Sequence, residues 1–274
     1  MRLKMMLFFV FTICFSSVYA ASVDTIWVES KAMNKKIKVV VVTPERNTVS
    51  GNYPVIYLLH GYGGNARTWV SVKPELPEIA DEKGLIFVCP DGENSWYWDS
   101  PQIAGSRFET FVGKELIDYV DRNYPAIADK NARAVTGLSM GGHGALWLAI
   151  KYKNTFGAAG SMSGGVDIRP FPKNWKIGEL LGDYDTHPEI WESHTVITQL
   201  DRIENRELAL IIDCGIDDFF MEVNRNLHAE LAKRKIDHDF IVRPGRHNRD
   251  YWNNSIDYHI LFFRKFFENT ILRK

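Results

Sequence analysis

Cysteine is scarce in this chain, and neither sign of charge predominates. Three cysteines occur among 274 residues, and 33 Lys and Arg residues stand against 34 Asp and Glu residues, for a formal net charge of −1. Three cysteines without a CxxC or Cys/His spacing exclude a disulfide scaffold and a cysteine-based metal site. The near-zero net charge excludes a nucleic-acid-binding or membrane-binding protein that works through a basic surface.

The sequence also lacks low-complexity tracts, internal repeats and linker-like segments. Together with 45% hydrophobic and 13% aromatic residues, these absences exclude a disordered chain and a repeat array. A chain of this length buries a sizeable core. The sequence therefore predicts one domain over residues 21–274.

The first twenty residues have the pattern of a secretory signal peptide. A basic start precedes an apolar run from Met5 to about Phe15, and small residues end the segment at Ala20. The pattern predicts cleavage after Ala20 and a secreted or periplasmic protein without stable membrane insertion, because the run is short for a membrane span. An uncleaved amino-terminal anchor is the alternative.

Short apolar runs rich in β-branched residues alternate with segments of helical period, which predicts an α/β fold with a mostly parallel central sheet and helices on both faces. The predicted strands are Thr25–Val28, Ile37–Thr43, Val55–Leu59, Leu85–Cys89, Ala132–Thr136, Ala158–Met162, Leu208–Asp213 and Phe240–Val242. Helical periods cover about 108–120, 140–152, 223–231 and 256–267. Cys89 and Cys214 lie at strand ends, as buried free thiols or as a disulfide pair.

One long segment interrupts this alternation. Residues 164–207 separate two predicted strands and contain prolines, tryptophans and short polar pieces. Insertions of this kind usually lie above the carboxyl ends of the strands, where ligands bind. We therefore expect a lid-like insertion at about 164–207, with a surface loop without substrate contact as the alternative.

The clearest catalytic motif is G-x-S-x-G, which reads GLSMG at 137–141. A predicted strand runs into it and a predicted helix runs out of it, which is the context of a nucleophile elbow. The motif predicts Ser139 as the nucleophile. Ser163 lies in a similar sequence but lacks the glycine two residues before it, so it is a weak rival.

An acyl-transfer serine needs donors for the oxyanion and a base. The elbow supplies the amide of Met140, and the glycine-rich loop HGYGG at 60–64 predicts the amide of Tyr62 as the second donor. His247 follows the last predicted strand and is the predicted base. Asp217 and Asp218 both follow the strand at 208–213, and their positions alone do not choose between them as the acid.

These motifs resemble the esterase D branch of the α/β-hydrolases. That branch contains S-formylglutathione hydrolases, carbohydrate esterase family 1 with its feruloyl and acetylxylan esterases, and mycolyltransferases. The resemblance covers most of the chain after the signal peptide. It rests on LLHGYGG at 58–64, FVCPDG at 87–92, GLSMGGHGAL at 137–146, CGIDDFF at 214–220 and PGRHNRDYW at 244–252.

The resemblance implies an α/β-hydrolase fold, no cofactor and no metal. It places the acid three residues after Gly215, which selects Asp218 alongside Ser139 and His247. The chain departs from formylglutathione hydrolases in its predicted export, which disfavours a glutathione thioester. Trp96 and Trp98 lie beyond a strand end and are predicted to stack on a sugar or an aryl acid, unless they pack beneath the insertion.

The sequence therefore predicts an exported serine carboxylesterase for short-chain or carbohydrate-linked esters, such as acetyl or feruloyl groups on polysaccharide. Its predicted partners are small-molecule or polysaccharide esters, without nucleic acid, and its oligomeric state is open. The alternatives are an acyltransferase of the mycolyltransferase type and an S-formylglutathione hydrolase-like thioesterase. A non-catalytic binding module is disfavoured because every residue type of the triad is present.

Overall fold

A computed structural model describes residues 21–45 and 51–271, so the predicted signal peptide lies outside the described residues. The described ranges contain eight strands in one sheet, in the order β1-β2-β4-β3-β5-β6-β7-β8. The strands are β1 (Ser22–Ser30), β2 (Lys35–Thr43), β3 (Val55–Leu59), β4 (Ile86–Pro90), β5 (Arg133–Leu138), β6 (Ala158–Met162), β7 (Ala209–Gly215) and β8 (Asp239–Arg243).

Most of this sheet is parallel, as the sequence predicts. β2 pairs antiparallel with β1 and with β4, whereas all pairs from β4 to β8 are parallel. The carboxyl ends of the parallel strands therefore meet at one edge of the sheet. The loops after β3, β5, β7 and β8 carry the predicted site residues to that edge.

The helices lie between the strands along the chain, except the last one, which follows β8. They are α1 (Thr68–Val72), α2 (Leu76–Lys83), α3 (Phe108–Thr110), α4 (Leu116–Asn123), α5 (Met140–Lys151), α6 (Ile177–Leu181), α7 (Pro188–Ser193), α8 (Met221–Lys233) and α9 (Arg249–Ile271). The helix predicted at about 108–120 is divided by a π-helical turn at Phe111–Glu115. Gly113 in this turn packs against the ring of Tyr152, where a Cβ would lie 2.6 Å from the ring.

The core lies on both faces of the sheet because successive side chains of a strand point to opposite faces. In β3, Tyr57 packs into the cluster shared with α4, α5 and α8, and Leu58 packs into the cluster shared with α1, α2 and α9. All five residues of β3 are buried. Coverage by helices on both sides explains the continuous apolar run in the sequence.

The segment at 164–207 lies between β6 and β7 and contains α6, α7 and a 3-10 turn at Val196–Arg202. Several of its apolar side chains, including Trp191 and Val196, are fully buried. The segment therefore packs onto the domain rather than extending from it. In the described part of the chain, no helix is long and apolar enough to cross a membrane.

Cys89 and Cys214 are both free and buried. They lie on β4 and β7, which are four strands apart in the sheet. Neighbouring strands are about 4.8 Å apart, so the two thiols are separated by roughly 19 Å, far beyond the reach of a disulfide. The buried free thiols are the alternative that the structure supports.

Candidate active site

Ser139 lies on the sharp turn between β5 and α5, at the carboxyl edge of the sheet. Its backbone has φ 56° and ψ −119°, a region that non-glycine residues rarely adopt and that costs on the order of 1–3 kcal/mol. β5 ends at Leu138 and α5 begins at Met140. The strand, the turn and the helix that the sequence predicts around Ser139 are thus present.

Glycine is required on both sides of this turn because the backbones approach closely. A Cβ on Gly137 would lie 2.4 Å from the carbonyl carbon of Gly141, and a Cβ on Gly141 would lie 2.2 Å from the carbonyl oxygen of Leu59. Neither contact is sterically possible, so a side chain at Gly137 would separate α5 from β5, and one at Gly141 would separate α5 from β3. This close packing holds Ser139 next to the loop that follows β3.

His247 bridges Ser139 and Asp218. Its Nε2 lies 2.9 Å from Oγ of Ser139, and its Nδ1 lies 2.9 Å and 3.0 Å from the two carboxylate oxygens of Asp218. An ionised carboxylate only accepts hydrogen bonds, so Nδ1 carries the proton and the lone pair of Nε2 faces the serine hydroxyl. This arrangement can take the proton of Ser139.

The structure distinguishes the two aspartates that the sequence leaves open. The side chain of Asp218 is buried and its Oδ1 also accepts the amide of Phe220 at 2.8 Å, whereas Asp217 is exposed. A Cβ on Gly215 would lie 2.5 Å from the carbonyl oxygen of Gly245, so the loops after β7 and β8 touch at this point. The loops that carry Asp218 and His247 are therefore in contact, and Asp218 is the aspartate that bonds to His247.

Three aromatic rings surround the imidazole of His247. The ring centroids of Phe219, Trp252 and Phe220 lie 4.2 Å, 5.0 Å and 5.5 Å from it. The side chain of His247 is 15% exposed, so the imidazole retains access to the surface. The rings restrict its rotation and leave the Nε2 edge directed at Ser139.

The loop at 60–64 lies against the elbow, as an oxyanion-binding loop would. A Cβ on Gly61 would lie 3.2 Å from Cβ of Ser139. Tyr62 follows directly, and Met140 is the first residue of α5, where backbone amides have no acceptor within the helix. Met140 thus directly follows Ser139, and Tyr62 directly follows the glycine that packs against Ser139.

His60, for which the sequence predicts no separate role, orders this loop. Its Nε2 accepts the amide of Gly92 at 2.8 Å, so the proton is on Nδ1, which donates to the carbonyl of Gly61 at 2.7 Å. The hydroxyl of Tyr97 donates to the carbonyl of His60. His60 lies in the sequence between a buried strand and a glycine-rich loop, and this position is the signal that could have identified it.

His143, inside the elbow helix, is a structural histidine. Its Nε2 accepts the indole N–H of Trp98 at 3.0 Å and its Nδ1 donates to the carbonyl of Gly165 at 3.0 Å. Burial lowers the pKa of His143 to about 3, so the ring is neutral at physiological pH. Within residues 21–45 and 51–271, no group of three or more His, Cys, Asp or Glu side chains is placed to hold a metal ion.

Trp96 and Trp98 require a correction to the predicted stacking on substrate. Both indoles are fully buried and stack on each other with centroids 5.5 Å apart. Trp98 bonds to His143 beneath the elbow helix, and Trp96 packs 6.1 Å from Trp175 of the insertion. The rings are interior packing beneath the insertion, because neither has a face open to a ligand.

The fold and the site together define the class of protein. In a mostly parallel eight-stranded sheet, Ser139 follows β5, Asp218 follows β7 and His247 follows β8. The order Ser, Asp, His along the chain and the elbow geometry are those of the α/β-hydrolases.

Comparison with known proteins identifies the family within this class. The Esterase family model, described as "Putative esterase", matches residues 30–263. An acetyl esterase from Caldicellulosiruptor saccharolyticus is 26% identical over 249 residues, covering 83% of this chain and 92% of the relative. An S-formylglutathione hydrolase from Bos taurus is 26% identical over 249 residues, covering 82% of this chain and 86% of the relative.

Among solved structures, a ferulic acid esterase matches with a TM-score of 0.77 and 26% identity, covering 90% of this chain and all of that chain. The chain belongs to the Esterase family, and its resemblance to esterase D-like enzymes and carbohydrate esterase family 1 is confirmed. It is a serine esterase.

Proposed function

We propose that this esterase is an exported serine carboxylesterase that hydrolyses short-chain or carbohydrate-linked esters, with acetyl or feruloyl acyl groups. The observation that carries the proposal is the continuous hydrogen-bonded chain from Ser139 through His247 to the buried carboxylate of Asp218. Such a chain activates a serine hydroxyl without a cofactor.

The reaction follows from this geometry in two halves. Oγ of Ser139 attacks the ester carbonyl carbon while its proton passes to Nε2 of His247, and Asp218 stabilises the imidazolium. The tetrahedral intermediate collapses when the imidazolium protonates the leaving alcohol, which leaves an acyl ester on Ser139. Water, deprotonated by His247, then attacks this ester. The second tetrahedral intermediate collapses as the imidazolium returns the proton to Oγ of Ser139, which releases the carboxylic acid and restores the free enzyme.

The amides of Tyr62 and Met140 are the proposed donors to the tetrahedral oxyanion. Support comes from the packing of Gly61, the residue before Tyr62, against the elbow, and from Met140 at the start of α5, where the helix dipole favours negative charge. One such donor is worth roughly 2.7–4 kcal/mol in the transition state. His60 holds the loop in place without touching substrate.

The proposed acyl groups are supported by the names of two relatives, an acetyl esterase and a ferulic acid esterase. A hydrolysis screen tests this specificity with acetylated xylan, methyl ferulate, nitrophenyl esters of graded chain length and S-formylglutathione, each with Ser139→Ala as the blank. We expect cleavage of the acetyl and feruloyl esters. Turnover of S-formylglutathione alone, or ester formation on an added sugar hydroxyl, would contradict hydrolysis of these esters.

Export is proposed from the amino-terminal sequence, with cleavage after Ala20. One contact supports this cleavage site: the backbone nitrogen of Ala21 donates to Oδ2 of Asp81 at 2.7 Å. After cleavage this nitrogen would be an ammonium group paired with a carboxylate, and charge-assisted bonds are stronger than neutral ones.

Amino-terminal sequencing of the protein recovered from the periplasm or medium should therefore begin Ala-Ser-Val-Asp. Asp81→Asn should lower the midpoint of urea unfolding of the cleaved protein more than that of the protein with its first twenty residues retained. An exported protein that retains these residues would contradict the proposed cleavage.

A further inference from the structure

A pair of aromatic rings, Phe219 exposed and Trp175 half-buried, lies beside His247. Phe219 is 53% exposed although its ring centroid is 4.2 Å from that of His247. Trp175, from the insertion, stacks on Phe219 with centroids 5.8 Å apart and planes 22° apart. We call these two rings the Phe219–Trp175 platform. The exposed face that these two rings form next to His247 is a candidate binding surface.

Other aromatic rings hold the platform from beneath. Trp175 packs against Phe220 at 5.2 Å, Phe171 at 5.5 Å and Trp96 at 6.1 Å between ring centroids. These contacts hold Trp175 although its backbone has φ 47°, a left-handed conformation that is unfavourable for a tryptophan. The insertion is thus fixed so that Trp175 remains against Phe219.

The position of the platform indicates which half of an ester it would contact. His247 gives its proton to the oxygen of the leaving alcohol, so the alcohol lies on the histidine side of Ser139. The oxyanion loop at 60–64 lies against the elbow itself. The platform touches His247, and it therefore faces the alcohol rather than the carbonyl oxygen.

We propose that the Phe219–Trp175 platform binds the alcohol half of the ester and that this alcohol is a sugar ring. The inference rests on the proposed esterase function. The flat apolar face of a sugar ring stacks on aromatic rings, and its hydroxyls need polar groups at the edge. Asn174 and Lys176 flank Trp175, and Asn248 follows His247; all three are exposed.

Two substrates test this proposal, one with a ring in its alcohol half and the other with a ring in its acyl half. Methyl 2-O-acetyl-xyloside has a sugar as its alcohol and a small acyl group, whereas methyl ferulate has a small alcohol and an aryl acyl group. Trp175→Ala should lower kcat/KM for the acetyl sugar about tenfold more than for methyl ferulate, mainly through KM. Trp175→Phe, which retains a ring, should recover most of this selectivity.

Trp27→Ala is the matched control, because Trp27 is 58% exposed on β1, at the far edge of the sheet from β7 and β8. The change should leave kcat/KM for both substrates unaltered. An equal loss on the two substrates in Trp175→Ala, or a larger loss on methyl ferulate, would overturn the assignment to the alcohol half.

A binding measurement separates this inference from catalysis. Xylotriose should bind the Ser139→Ala protein and quench its tryptophan fluorescence, and the added change Trp175→Ala should raise Kd about tenfold. Binding through Trp175 in an enzyme that hydrolyses no sugar ester would support the platform and contradict the proposed function. Absence of binding to the Ser139→Ala protein, or an unchanged Kd, would overturn the platform.

Discussion

Replacing Ser139 with alanine should lower kcat for p-nitrophenyl acetate by a factor on the order of 10⁶. The change removes the hydroxyl that attacks the ester and gives its proton to His247, while the elbow backbone and the amides beside it remain. Alanine is smaller than serine, so the turn is not crowded further, and the far-UV circular dichroism should be that of the wild type. Initial rates at saturating substrate measure the effect.

Ser163→Ala is the matched control for this experiment. Ser163 also has a left-handed backbone, with φ 50°, and follows β6 at the same edge of the sheet. Its hydroxyl is buried, and the histidine that bonds Ser139 does not bond it in the described residues. If activity survives in Ser139→Ala but falls in Ser163→Ala, then Ser163 rather than Ser139 is the nucleophile.

Replacing Asp218 with asparagine should lower kcat by a factor on the order of 10⁴. An amide can donate to Nδ1 of His247 and thereby favour the tautomer with its proton on Nε2, which cannot accept the proton of Ser139. The substitution retains the side-chain volume and the hydrogen bond from the amide of Phe220. Rates for nitrophenyl acetate across pH 5–9 report the effect, since a tautomer defect lowers the whole profile.

Asp217→Asn provides the comparison within the same loop. Asp217 is exposed, and the bond it makes to the carbonyl of Gly245 uses its backbone amide, which the substitution retains. Its kcat should stay within about twofold of wild type, as for most surface changes. Equal losses in the two variants would mean that the charge of the loop, rather than the contact of Asp218 with His247, supports catalysis.

Strands buried on both faces are the part of the fold that the sequence predicts best. Val55–Leu59 and Ala158–Met162 have the predicted bounds, and all residues of both strands are buried. For Val55–Leu59 the signal is a continuous apolar run that ends at turn residues. The π-helical turn at Phe111–Glu115 is not visible in the sequence. It depends on the packing of Gly113 against Tyr152, which is distant along the chain.

The site shows the same division between local and tertiary information. Ser139 is predictable because the strand, the glycines and the helix are contiguous. The choice of Asp218 depends on where the loops after β7 and β8 touch, and residue spacing gives it only through family resemblance. The prediction that Trp96 and Trp98 stack on substrate is wrong because the burial of a loop cannot be read from its composition. Trp175 and Phe219 are far apart in the sequence and meet only in the folded chain.

The central claim, that Ser139 is activated by His247 as a nucleophile, is tested most directly by mass spectrometry after reaction with a fluorophosphonate. We expect one adduct, on the peptide that contains Ser139, in the wild type and in Ser163→Ala, and none in Ser139→Ala. Labelling in Asp218→Asn should be slowed in parallel with its kcat. An adduct on any other residue, or labelling that persists in Ser139→Ala, would contradict the account.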